Sequence, residues 1–239
     1  MTRHAFLVTS AINTKFGVYK SDQRLEQTMS TIQSIRERVD NPMIIIMELA
    51  GEPLTPFQKK TLTENCDHLL DFTDDPAVQS IYADDNWDVV KNVTEVMCFG
   101  RALKMLHQDI NLFKDIDRIF KMSGRYLLTD NFKIDFYDQY STRPFIVIGP
   151  TCTSQFPKWL TECDGQYMAR LWSWPTALNL EIIKVFENSL EFMYQRLSKG
   201  GYADIEHVLY KFLDPGKLLQ IPKVGVKGNI APNGQYIEN

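Results

Sequence analysis

Long hydrophobic runs, paired cysteines and an excess of positive charge are all missing from this chain, and each absence removes a class of protein. The N-terminal run Met1-Thr2-Arg3-His4-Ala5-Phe6-Leu7-Val8 carries too short an apolar core for a secretory signal peptide. No segment approaches the ~20 apolar residues of a membrane-spanning helix. The four cysteines, Cys66, Cys98, Cys152 and Cys163, form neither a CxxC pair nor a metal-ligand spacing. Free thiols in a reducing compartment are therefore expected. With 26 Lys and Arg against 30 Asp and Glu, the net charge of −4 argues against a general nucleic-acid binder, while a local basic pocket stays open. Repeats, low-complexity tracts and evident linkers are also lacking. The expectation is a cytoplasmic protein with no nucleic-acid partner and no membrane span. The sequon Asn92-Val93-Thr94 falls within a predicted helix and reads as incidental.

What is present is enough apolar material for a large core: 239 residues, 44% hydrophobic and 12% aromatic. The first half alternates strand and helix signals. Ala5 to Ser10 reads as a strand, followed by a polar loop with Asn13, Thr14 and Gly17. Ser21 can cap a helix to about Val39, with Leu25, Met29, Ile32, Ile35 and Val39 on one face. Met43 to Leu49 reads as a parallel strand covered on both sides. Thr55-Pro56 opens a helix, and His68 to Phe72 is a brief strand. A long helix from Asn86 to Leu106 then leads into the apolar run that ends at Lys121. This order implies an α/β fold with a mostly parallel, doubly wound sheet.

The second half is less regular. Pro144 to Gly149 and Tyr167 to Trp172 read as strands, and Ala177 to Leu197 as a helix ending at Gly200-Gly201. A further helix covers Asp204 to Leu213, and the tail from Lys217 is loop and short strand. A single domain is expected, with a nucleotide-binding half over residues 1–130 and an acceptor half over 131–239.

Arg118-Ile119-Phe120-Lys121-Met122-Ser123-Gly124-Arg125-Tyr126 is the most informative segment. A buried strand ends abruptly in two cations, a hydroxyl and a glycine. Open α/β sheets bind ligands at the carboxyl ends of their strands. Fixed cations beside a glycine that lets backbone approach suit an anion such as a diphosphate.

The order of elements resembles the GT-A glycosyltransferase fold. Three segments carry the likeness: Arg24-Leu25-Glu26-Gln27-Thr28 after Val8-Thr9-Ser10-Ala11-Ile12, then Lys91-Asn92-Val93-Thr94-Glu95, then Phe120 to Tyr126. The last is similar to the lysine-any-Ser-Gly-Arg-Tyr segment of bacterial and viral sugar-transferase-like proteins. The stretch Gly225-Val226-Lys227-Gly228-Asn229-Ile230-Ala231-Pro232-Asn233-Gly234 also resembles tails of that group. The resemblance implies a nucleotide-sugar donor and a glycan or lipid-linked sugar acceptor. GT-A enzymes usually carry an Asp-any-Asp motif at the end of the central strand, where it holds manganese or magnesium. Here that place reads Lys121-Met122-Ser123, so no metal ligand is assigned and no cofactor is expected, with a divalent ion left as an option that no such motif supports.

Each candidate has a functional and a plainer reading. Lys121 and Arg125 can stabilise a departing diphosphate, with Ser123 and Gly124 beside them; Arg125 can instead pair with Asp130 or Asp135. Thr9, Ser10 and Ala11 end the first strand, where this fold places the nucleoside. Glu48 ends the second strand, must emerge at the crevice or be paired, and can accept from a base edge or ribose hydroxyl. Arg24 reaches a phosphate or forms a surface pair. Lys91 and Asn92 resemble nucleotide-contacting positions or are simply solvated. Glu206 is the chosen catalytic base, against helix-terminus electrostatics, and Asp164 is the reserve. His207 reads as structural, Asp84-Asp85 as helix capping, and Trp159, Trp172 and Trp174 as core or as sugar-stacking rings. Rival functions are a non-catalytic sugar- or nucleotide-binding module and a sugar nucleotidyltransferase. The latter ordinarily needs a glycine-rich loop where Thr9-Ser10-Ala11-Ile12-Asn13 stands.

Overall fold

The computed structural model describes residues 3–109, 112–140, 143–230 and 234–238. The expected tail residues Ala231, Pro232 and Asn233 lie outside them. The chain runs β1 (His4–Ser10), α1 (Ser21–Arg36), β2 (Met43–Glu48), α2 (Pro56–Thr63), β3 (His68–Asp71), α3 (Pro76–Tyr82), α4 (Trp87–Gln108), β4 (Arg118–Ser123) and β5 (Tyr126–Leu128). It continues with α5 (Ile134–Asp138), β6 (Ile146–Ile148), β7 (Thr151–Thr153), α6 (Lys158–Thr161), β8 (Gly165–Tyr167), β9 (Leu171–Pro175), α7 (Asn179–Leu197) and α8 (Ile205–Phe212). Three short strands close it: β10 (Leu218–Gln220), β11 (Val226–Asn229) and β12 (Tyr236–Glu238).

A seven-stranded sheet ordered β10-β6-β9-β4-β1-β2-β3 forms the centre. β3, β2, β1 and β4 are mutually parallel, as the alternating first half predicts, and β9 runs antiparallel to both β4 and β6. This is the expected α/β class with a mostly parallel sheet. β5, β11 and β12 make a separate antiparallel sheet, and β7 pairs with β8 as a hairpin. The predicted strand over Tyr167–Trp172 is in fact the end of β8, a turn, and the start of β9.

Side chains of the central strands alternate between two cores. Ala5, Leu7, Ile45, Met47 and Ile119 face the layer of α4 and α7. Phe6, Val8, Ile44, Ile46, Phe120 and Met122 face the α1 side. Trp172 and Trp174 on β9 pack with Phe99 and Phe186, with Trp172 and Trp174 centroids 4.6 Å apart. Both tryptophans are buried, which corrects the sugar-stacking option for them. Trp159 is 75% exposed on α6.

Helix boundaries follow their caps. Thr55 accepts from Gln58 N at 3.2 Å, with Pro56 in the first turn. The long helix α4 is capped by Asn86, whose side chain accepts from Asp88 N at 3.0 Å. Asp84 supports that cap by accepting from Asn86 N at 2.7 Å. Lys20, not Ser21, holds the N-cap position of α1, and the helix stops at Arg36, short of the predicted Val39. The four cysteines are free. No helix among the described residues is long and apolar enough to cross a membrane.

Candidate functional site

The carboxyl ends of β1 and β4 and the first turns of α4 and α8 surround a cavity of about 500 Å³. This is the position that open α/β sheets use for ligands. Thr9, Ser10 and Ala11 line it from β1.

Lys121 is fixed by the alternation of β4. It shares a face with Ile119 and points toward α4, where burial to 1% exposure requires a counter-charge. Its ammonium lies 3.0 Å from Glu95 Oε1, 3.0 Å from Ser123 Oγ and 3.2 Å from the Ala169 carbonyl. All three of its donors are thereby used. Burial pushes the Glu95 carboxyl up, but the Lys121 and Lys91 ammoniums outweigh it and hold Glu95 below the usual carboxylate range. Lys121 is therefore a cation built into the cavity wall rather than a mobile one.

Arg125 is placed differently. It follows Ser123 at the turn into β5, lines the cavity, and carries a buried Nε without a hydrogen-bond partner. The alternative pairing with Asp130 is not formed, because Asp130 faces Arg38 at 3.1 Å. Between these cations Gly124 brings the two strand ends together. Its N–H donates to the Thr9 carbonyl at 2.8 Å, and a Cβ there would meet that same oxygen at 3.0 Å. Gly124 thus acts through strand packing and does not line the cavity.

Arg24 is neither a surface pair nor an unattached phosphate ligand. It is 6% exposed and donates to the carbonyls of Tyr19, Ala11 and Phe16 at 3.1–3.2 Å, which ties down the loop after β1 at the cavity edge.

Two helix starts complete the wall. Lys91 and Glu95, four residues apart on α4, both face the cavity, whereas Asn92 is buried off it at 3% exposure. At α8 the N-cap Asp204 accepts from His207 N at 3.0 Å and His207 Nδ1 at 2.6 Å through Oδ1, and from the Tyr202 hydroxyl at 2.9 Å through Oδ2. His207 is fully buried, with Nε2 2.9 Å from Ser154 Oγ, so it is a structural link as the sequence suggests. Glu206 projects from the same turn into the cavity. Burial pushes its carboxyl up to about 7, with the neighbouring charges of Asp204 and Glu95 adding and Lys91 and Lys121 opposing.

Two sequence candidates lie elsewhere. Glu48 does not emerge at the crevice. It is fully buried, and Oε1 accepts from Ile12 N at 2.8 Å and Ala50 N at 3.3 Å, joining the loops after β1 and β2. Burial pushes it up to about 7. The alternative to emergence, that Glu48 be paired, is thus met by backbone donors rather than by a counter-charge. Asp164 is exposed, paired with Lys158 at 2.6 Å, and off the cavity wall.

Sequence reasoning missed Asp88, Glu95, Tyr202, Asp204 and Arg170 as wall residues. The four-residue spacing of Lys91 and Glu95 was a usable signal for Glu95. Asp204 carried the signature of an N-cap before an apolar helix. Tyr202 and Arg170 arrive only through tertiary folding.

The GT-A resemblance implies a divalent metal at the end of the central strand. Where an acidic pair would stand, β4 presents a buried ammonium, which repels a divalent cation. Among the described residues no three His, Cys, Asp or Glu side chains group as ligands.

No protein-family model matches the chain, and no curated protein matches it in sequence. Solved structures do match in shape. Core-mannan synthase A (CmsA/Ktr4) from Aspergillus fumigatus, in its Mn/GDP form, superposes with a TM-score of 0.53 at 12% identity, over 98% of this chain and 77% of that one. The galactosyltransferase LgtC, in complex with donor and acceptor sugar analogues, gives 0.54 at 11% identity, over 90% and 72%. At such identities the likeness is one of architecture, and the chain has a GT-A-like fold.

Proposed function

We propose that this protein is a glycosyltransferase that moves a sugar from a nucleotide donor to a hydroxyl of a glycan or lipid-linked acceptor without a bound metal. One observation carries the reading: a cavity at the strand ends is lined by two cations, Lys121 and Arg125, and by Glu206, whose carboxyl burial raises to about 7. The two structural neighbours, with a Mn/GDP form and with donor and acceptor sugar analogues, support it by fold analogy.

Direct displacement suits these groups. Glu206 accepts the proton of the acceptor hydroxyl as its oxygen bonds to the anomeric carbon. The bond from that carbon to the diphosphate breaks, and the electron pair leaves on the phosphate oxygen. Arg125, with Lys121 behind it, stabilises the developing charge. Ser123 and the ends of β1 border the donor, and Lys91 adds a further cation to the cavity.

A thermal-shift screen against UDP-, GDP-, CMP- and dTDP-sugars tests the reading, each with EDTA and with manganese. A donor that binds the native state raises the melting temperature by mass action. The expected shift persists in EDTA and vanishes in Arg125→Ala. A shift that requires manganese refutes metal independence, and no shift with any donor refutes the site.

A further inference from the structure

A second cavity, of about 280 Å³, lies on the α1 side of the central sheet and shares no lining residue with the first. Phe132, Phe136 and Tyr137 wall it from α5 and the segment before it, and Ile221, Pro222 and Val224 from the segment between β10 and β11. The two walls are fastened together. Gly225 holds φ at +78°, and a Cβ there would collide with the Phe132 backbone. Thr129 N also donates to the Gly225 carbonyl at 2.9 Å. Within the aromatic wall, Phe132 stacks on Tyr137 at 5.3 Å and Phe136 meets the same ring edge-on at 5.3 Å. β10 runs parallel to β6, and β6 and β4 both run antiparallel to β9. Residues 221–224, which follow β10, therefore stand at the sheet edge that also bears the main cavity.

The charges at this cavity are of one sign. Lys133 and Lys223, one from each wall, complete the lining with the Asn131 amide, and no carboxylate contributes. The acids nearest in sequence do not cancel them. Asp130 faces Arg38 at 3.1 Å, Asp138 faces His4 at 2.9 Å, and Asp135 is off the wall. A dry pocket between two ammoniums that no acid compensates suits a ligand apolar at one end and anionic at the other. Three rings already packed edge and face favour a further ring beside them. The volume sits just below the range of drug-sized sites, which limits the occupant to about one or two rings. We infer that this cavity is a second ligand site, which takes a small aromatic carboxylate. The ring packs on Phe132, Phe136 and Tyr137, and the carboxylate is received by Lys133 and Lys223. This inference stands apart from the glycosyltransferase reading of the main cavity.

Ligand-observed NMR titration of the full chain tests the site, with phenylacetate and indole-3-acetate as probes. The neutral and cationic matches are 2-phenylethanol and 2-phenylethylamine. At least one carboxylate is expected to bind with a Kd of about 1 mM or tighter, and about tenfold tighter than 2-phenylethanol, the effect of one charge-assisted contact. The amine should bind more weakly than the alcohol, and added salt should narrow the difference. Lys133→Gln and Lys223→Gln should each weaken the carboxylate, and the double variant should bring it to the level of the alcohol. Both lysines are exposed, so an unchanged melting temperature is expected and guards against a folding defect. Three results overturn the site: no binding of either carboxylate, equal binding of carboxylate and alcohol, or undiminished binding in the double lysine variant. Carboxylate binding lost in Arg125→Ala but kept in the double lysine variant also overturns it, by placing the ligand in the main cavity. None of these results bears on the donor screen, which tests the transferase reading separately.

Discussion

In the proposed mechanism, protonation of Glu206 links catalysis to stability through one side chain. In the proposed role of acceptor base it must be ionised, so kcat/KM is expected to fall as pH drops through about 7. Glu206→Gln should lower the rate by a factor on the order of 10²–10⁴, the usual worth of a general base. The stability consequence has the opposite sign. A folded value near 7 against 4.5 in the unfolded chain means that the native state binds more protons between those limits. The native state is therefore penalised progressively from pH 4.5 to 7 and fully above it, by at most about 3 kcal/mol. Glu206→Gln should accordingly raise the melting temperature at pH 8 and leave it little changed at pH 4.5. Glu48→Gln serves as the contrast, because Glu48 is raised to the same value but sits off the cavity. It should shift the pH dependence of stability without abolishing transfer. That Lys121, Arg125 and Glu206 come together on one cavity wall was legible in the sequence, because each stands at or near the end of an element where polarity changes abruptly. Glu48 was misread because sequence shows a charge but not the two backbone N–H groups that hold it.

At the scale of elements, the junction of β1 and β4 depends on one missing methyl group. A Cβ at Gly124 would stand 3.0 Å from the Thr9 carbonyl and 3.2 Å from Thr28 Oγ1. Backbone cannot yield there without parting the strand ends, so Gly124→Ala should cost about 1–3 kcal/mol in urea unfolding. It should also weaken nucleotide binding, since Arg125 follows directly. β1, β2 and β4 were readable because apolar runs mark strands covered on both faces. β5, β7 and β8 span three residues each and carry too little pattern to be read. Helix α3 was overlooked although Asp75-Pro76 is a clear start signal, with Asp75 accepting from Ala77 N at 2.8 Å. The antiparallel run of β9 between β4 and β6 leaves no trace in local sequence, because strand order is decided by packing.

For the molecule as a whole, the small sheet of β5, β11 and β12 buttresses the cavity from outside the central sheet. Val226 is fully buried and pairs with Leu128, while Gly228 pairs with Tyr126. Truncation before Val226 should lower the melting temperature on the order of 5–10 °C, from the lost burial of Val226 and its neighbours. Nucleotide binding should weaken in parallel, because Tyr126 loses its partner strand. The reversed strand β9 has a wider consequence. Its body, Trp172 and Trp174, is locked into the aromatic core against Phe99 and Phe186, while the turn that feeds it delivers Arg170 to the cavity. The interior of the protein and the wall of its cavity therefore share one lever. A volume change among those rings would be transmitted a residue or two along the chain and register first as an altered cavity wall, well before the fold itself gave way; in the proposed function that reads out as a change in nucleotide affinity.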